Sequence, residues 1–168
     1  QRAKFLEEVR NLAAEQLHFL DEAGSTVAMT RTHARAPRGE RAKGKVPRNR
    51  GKVTTMLGSI GVGGVESMAM VEGGTSGEVF ETYVETALLP TLKQGDVVVL
   101  NNLGAHRTRR VRELVEGAGA RLLFMPPYSP DLNPIELCWS KMKQALRSLE
   151  ARTVPALREA IAKVSRLV

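Results

Sequence analysis

Cysteine is almost missing from this chain: Cys138 is the only one in 168 residues. An intramolecular disulfide is therefore excluded, and a zinc site built from Cys and His has too few ligands to draw on. Long apolar runs are missing too. None approaches the roughly 18 residues that suggest a membrane span, and nothing at the start reads as a secretory leader. The expectation is a soluble, cytoplasmic protein with no membrane partner. An initiating methionine is also lacking; the chain opens on Gln1, as expected of a fragment, a processed chain or an excised piece of a longer polypeptide. What is present suffices for one domain, since 42% of the residues are hydrophobic and the length allows a substantial core.

Excess charge is absent from most of the chain and concentrated in one place. The net charge is +7. Between positions 30 and 52, Arg31, Arg35, Arg38, Arg41, Lys43, Lys45, Arg48, Arg50 and Lys52 stand against Glu40 alone. This one segment supplies essentially the whole imbalance, the electrostatic footprint of a nucleic-acid contact. A solvated basic loop is the plainer reading of the same residues. Gly39, Gly44 and Gly51 with Pro37 and Pro47 argue against a regular element there.

The hydrophobic pattern reads as strands first, then strands alternating with helices. Residues 1–16 carry Phe5, Val9, Leu12 and Ala13 at helical spacing. Segments 17–21 and 25–30 read as strands around a DEAG bend, and TTMLGSIGV and ESMAMV as two more, joined at Gly63–Gly64. SGEVFETYVETALLPTL is a helix with Ser76 as cap, and DVVVL is a strand covered on both faces. TRRVRELVEGAG predicts a helix, RLLF a strand, and NPIELCWSKMKQALRSL and VPALREAIAKVSRL two closing helices. The order implies a mixed sheet with helices on its faces. Trp139 and Leu146 read as core residues of the penultimate helix.

Three short blocks concentrate the polar chemistry. FLDEAG places Asp21 at the end of an apolar segment, VVVLNNLGAHR does the same for Asn101, and PPYSPDLNPIE ends at Glu136. Thirty-four residues, 102–135, separate Asn101 from Glu136. Each has a structural reading. Asp21 can serve the DEAG turn, with Glu22 as an alternative site residue on the opposite face of the strand. Asn133, Pro134 and Glu136 form a capping-box pattern that accounts for N-P-I-E by itself. Asp131 reads as a turn former. His106 is either structural or an accessory group that contacts a phosphate or shuttles a proton.

Taken together, the three blocks, the 34-residue spacing and the wording MTRTHARAPRGERAKGKVP resemble the IS630-type transposases, related to the Tc1/mariner group. The resemblance covers roughly residues 17–165. It implies an RNase H-like α/β fold: a mixed five-stranded sheet with helices on both faces. In the family the three blocks carry Asp, Asp and Glu, so Asp21, Asn101 and Glu136 are the implied catalytic and metal positions, and Asn101 departs from the pattern. It also implies a linker helix at 1–16 after an upstream DNA-binding region, a catalytic domain at 17–168, and a basic clamp-type loop at 30–52. Further implications are a homodimer acting on double-stranded DNA, cleavage at transposon ends, joining to a TA-containing target, and a bacterial, nucleoid-associated setting.

The implied chemistry has a physical basis. Phosphoryl transfer on DNA is served by two divalent ions roughly 3.5–4 Å apart that stabilise the attacking and leaving oxygens, held by clustered carboxylates. Mg²⁺ or Mn²⁺ takes oxygen ligands, so no His or Cys is needed. Two ions per site are expected with aspartate at position 101. An asparagine there keeps the shape and removes a negative charge, which predicts weaker metal occupancy and strongly impaired cleavage. A designed substitution and a decayed gene copy both account for it. Asn102 is not expected to substitute, because it faces the other side of the strand. The alternative from a different class is a non-catalytic DNA-binding or assembly module that retains the fold.

Overall fold

The computed structural model describes residues 1–168. Its strands are β1 (Leu17–Ser25), β2 (Thr54–Gly61), β3 (Gly64–Glu72), β4 (Val97–Leu100) and β5 (Arg121–Phe124). They form one mixed sheet in the order β3-β2-β1-β4-β5. The first three strands make an antiparallel meander, and β4 and β5 join parallel to β1. The β2–β3 hairpin turns through Gly64, whose φ of 107° is one that residues with a Cβ rarely adopt.

The helices are α1 (Arg2–Arg10), α2 (Gly77–Tyr83), α3 (Arg109–Gly117), α4 (Ile135–Leu149) and α5 (Val154–Ser165). Local chemistry accounts for their starts. Ser76, Thr108 and Thr153 each accept a hydrogen bond from the backbone N–H three residues on, replacing a partner the first turn lacks. The helix begun by α2 does not stay α. It widens into a π turn at Val84–Leu88 and tightens to 3-10 at Leu89–Thr91, where Pro90 has no N–H to donate.

Both faces of the sheet are covered. On one, Leu20, Leu57, Val98 and Leu100 pack with Phe80, Tyr83, Val84 and Leu88 and with Val111 and Val115 of α3. On the other, Ala23 and Met56 meet Trp139, Met142 and Leu146 of α4 and Leu157 and Ile161 of α5, as expected for Trp139 and Leu146. Beside them Phe5 of α1 packs on Leu17, Val97 and Val99. A fully buried side chain such as Leu100 contributes about 1.5–3 kcal/mol by leaving water. Gly58 permits the close approach of α4, because a Cβ there would lie 2.9 Å from Trp139 Cη2.

Three local expectations fail. The helix expected over residues 1–16 stops at Arg10, and only a short 3-10 turn follows at Ala14–Gln16. The DEAG segment is not a bend between two strands; Asp21, Glu22, Ala23 and Gly24 stay extended and pair with Gly58, Leu57, Met56 and Thr55. Continuous pairing to β2 and burial of Ala23 outweigh the turn preference of Asp and Gly; β1 runs on to Ser25, and the second strand expected over 25–30 does not form. Nor is Asn133 the N-cap of α4. That place is taken by Pro134, without a side-chain cap.

Candidate active site

Parallel pairing of β1 with β4 creates the site. Leu20 lies beside Leu100, so the next residues, Asp21 still within β1 and Asn101 just past the end of β4, lie side by side where the parallel pairing stops. Neighbouring strands are about 4.8 Å apart, close enough for two side chains to share one ligand. Glu136 enters from the first turn of α4, which Trp139 and Met142 anchor against the sheet. All three line a single cleft of about 460 Å³ with Asn102, Leu103, the 125–130 segment and Asn133. Residues separated by more than a hundred positions therefore meet.

The Asn101 amide has a defined orientation. Its Oδ1 accepts the Leu103 backbone N–H at 3.0 Å, and its Nδ2 donates to Asp21 Oδ1 at 3.2 Å. An amide nitrogen thus faces the carboxylate where an aspartate would present an oxygen. Asn133 donates from Nδ2 to Asp21 Oδ2 at 3.1 Å, while its own Oδ1 is buried without a partner. Asp21 is held between two amides and also accepts the Glu22 N–H at 2.9 Å. Asn133 is the functional neighbour that sequence reasoning assigned elsewhere; its place three residues before Glu136 points equally to a cap and to the cleft. Asn102 donates to the Met125 carbonyl, tying the cleft's floor to the segment after β5.

Burial pushes the Asp21 carboxyl up to about 6; its bond from the Glu22 N–H works against this, and the charges of Glu22 and Glu136 raise it further. Crowded negative charge of this kind favours a bound cation. The donor set fits one hard divalent ion: Asp21 and Glu136 would hold it, with water completing the shell. It does not fit a pair. Asn101 turns its nitrogen toward Asp21, and no group of three His, Cys, Asp or Glu side chains converges to hold a metal.

His106 lies outside this cleft. It is fully buried, stacks on Phe80 with ring centres 4.2 Å apart, and faces Glu22 Oε2 from Nε2 at 2.9 Å. Glu22 points to the face opposite Asp21, as strand alternation requires. The basic segment has no helix or strand between positions 30 and 52, and its cations are exposed. Within it, Arg31 donates to the Ser148 carbonyl of α4 at 3.3 Å, and Lys52 pairs with Glu72 at 2.8 Å. Asp131 sits in a short 3-10 turn but also pairs with Arg2 of α1 at 2.5 Å.

A mixed sheet of this order, covered on both faces and with Asp21 beside position 101 where the parallel pairing of its central strands stops, is an RNase H-like fold. The matching family model is that of the DDE superfamily endonucleases; it covers residues 16–158, and the chain belongs to that family. The chain is 32% identical over 78 residues to the transposable element Tc1 transposase of Caenorhabditis elegans, spanning 46% of this chain and 29% of that protein. Its fold matches the Mos1 strand transfer complex with a TM-score of 0.75 at 19% identity, covering 99% of this chain and 51% of that one. It also matches the Mos1 transposase catalytic domain solved with raltegravir and Mg, with a TM-score of 0.69 at 16% identity over 98% and 76% of the two chains. The match thus spans 29% of the Tc1 transposase and about half of the chain in the Mos1 strand transfer complex.

Proposed function

We propose that this chain is the catalytic domain of an IS630-type cut-and-paste transposase, impaired at its own active site by Asn101. The observation that carries the reading is the meeting of Asp21, position 101 and Glu136 in one cleft of a DDE-family fold. The reaction class is hydrolysis of a DNA phosphodiester at a transposon end. Water's oxygen bonds to phosphorus, the P–O3′ bond breaks, and the released 3′-oxygen takes up a proton. The oxygen of that 3′-hydroxyl then bonds to a phosphorus of a TA-containing target, the target's own P–O3′ bond breaks, and the departing 3′-oxygen takes up the proton. Exposed Glu136 and buried Asp21 flank the space for the reacting phosphate, and Asn133 fixes the Asp21 carboxylate in place. Mg²⁺ or Mn²⁺, when bound, supplies Lewis-acid stabilisation of the oxygens that gain charge.

The cations of the 30–52 segment serve the DNA backbone, as a homodimer at paired ends in a bacterial nucleoid. A second reading, a DNA-binding or assembly module without catalysis, draws support from the Asn101 amide, which satisfies Asp21 by hydrogen bonding where catalysis calls for a shared ion. Nicking of supercoiled plasmid in Mn²⁺ separates the two. Asn101→Asp should nick at least tenfold faster than the parent chain, and the additional substitution Glu136→Gln should abolish the gain. Nicking by none of the three, with DNA binding intact, selects the assembly module.

A further inference from the structure

The loop between β5 and α4 holds a feature that cleavage chemistry leaves unused. Tyr128 is fully exposed, at 101% relative accessibility, on the rim of the cleft that contains Asp21, Asn101 and Glu136. No other aromatic ring is presented this way: Phe5, Phe80, Tyr83 and Trp139 are buried, and Phe19 and Phe124 are half-buried. Tyr128 also has φ of 54°, the left-handed region that bulky L residues rarely occupy. The loop is held so that the ring cannot easily fold back. Pro126 and Pro127 precede it and Pro130 follows. Ser129 Oγ donates to the Pro127 carbonyl at 3.2 Å and accepts from Arg2 Nη1 at 2.8 Å. Arg2 also grips Asp131 through both carboxylate oxygens, and Asn102 holds Met125 at the other end.

An aromatic face kept in water at fixed distance from a phosphate-handling cleft suits a flat partner. Beside a reacting DNA phosphate that partner is a nucleobase, and within a duplex only an unpaired one has a face to offer, because paired bases there are covered by their neighbours. Stacking of this kind is tolerant of sequence, since every base has a π-face. We propose that Tyr128 is a stacking platform for an unpaired base next to the phosphodiester lying between Asp21 and Glu136, so that the site takes DNA that is locally opened. The inference rests on the DNA reading above.

Two duplexes test it, identical except that one has its last two base pairs replaced by mismatches, with 2-aminopurine at the terminal position. Affinity is read by anisotropy and stacking by 2-aminopurine fluorescence, on the chain as it stands. The parent should prefer the opened end by about tenfold, the order expected for one base on one ring, and should quench the probe. Tyr128→Phe keeps both effects. Tyr128→Ala and Tyr128→Gly lose both, and Tyr128→Gly, free of the φ restriction, melts at a higher temperature than the parent. A ring that merely shaped the loop would show no such split between stability and end preference. Equal affinity of the parent for the two duplexes, or an end preference retained by Tyr128→Ala, overturns the stacking role alone. No binding to either duplex overturns the DNA reading along with it.

Discussion

Replacing Asn101 with aspartate should make the protein depend on a divalent cation for stability as well as for chemistry. The side chain has two roles at present. Oδ1 accepts the Leu103 N–H, which an aspartate keeps, and Nδ2 donates to Asp21 Oδ1, which an aspartate reverses. Oxygen would then face oxygen at about the present 3.2 Å. Two unit charges at that distance repel by about 5 kcal/mol at an effective dielectric of 20, and spreading each charge over two oxygens lowers this to roughly 4 kcal/mol. Asp21 already sits at about 6, so the pair must hold a proton near neutral pH, bind a cation or lose stability. For a domain of this size a loss of 3–4 kcal/mol lowers the melting temperature by roughly 6–16 °C. Thermal melts at pH 8 in EDTA and in a Mn²⁺ series read this directly. Asn101→Asp should melt well below the parent in EDTA and regain most of the difference as Mn²⁺ reaches about a hundred times its dissociation constant, where ligand binding contributes about 2.7 kcal/mol. The parent should shift by a degree or two. Equal melting of the two proteins in EDTA, with equal response to Mn²⁺, would refute the shared-ion geometry.

Asp21 also carries a pH signature in the metal-free protein. Its carboxyl is raised from an ordinary 3.8 to about 6, so the folded state prefers the proton; its contribution is fully present below about pH 3.8 and lost as pH rises through about 6. The loss is on the order of 3 kcal/mol, and Asp21→Asn should therefore gain stability over the parent at pH 8 but not at pH 4; a gain equal at both pH values contradicts the assignment. Asn133→Ala removes the donor to Asp21 Oδ2 and should cost about 1–3 kcal/mol by leaving a buried carboxylate oxygen unpaired. Urea denaturation in EDTA measures it, and an unchanged midpoint would mean that Asn133 does not support Asp21. Neutralising Arg41, Lys43 and Lys45 together should reduce the slope of log affinity for duplex DNA against log salt by about 2.7 if all three neutralise phosphates. An unchanged slope places the DNA elsewhere.

Element identity was largely legible. DVVVL, RLLF and the capped helices after Ser76, Thr108 and Thr153 follow from local rules that operate within a few residues. The misread segments are those where distant partners override local preference. Asp21–Gly24 has turn-forming composition, yet β2 holds it extended. Asn133 has the composition of a cap, yet a carboxylate 112 positions away draws its amide. His106, beside the second block in sequence, is carried to the other face of the sheet because Glu22 and Phe80 receive it there.

The order of the three blocks, their 34-residue spacing and the basic segment are properties of the sequence alone, because motif and charge pattern need no third dimension. That Asp21 and position 101 are neighbours came only with the parallel register of β1 and β4. Which atom of Asn101 faces Asp21, that Asn133 is the second amide on that carboxylate, and that Tyr128 stands exposed beside them were likewise decided by the tertiary structure. A sequence names the groups that can hydrogen-bond or stack; sheet register and helix placement, set by burial across the whole domain, choose which of them meet.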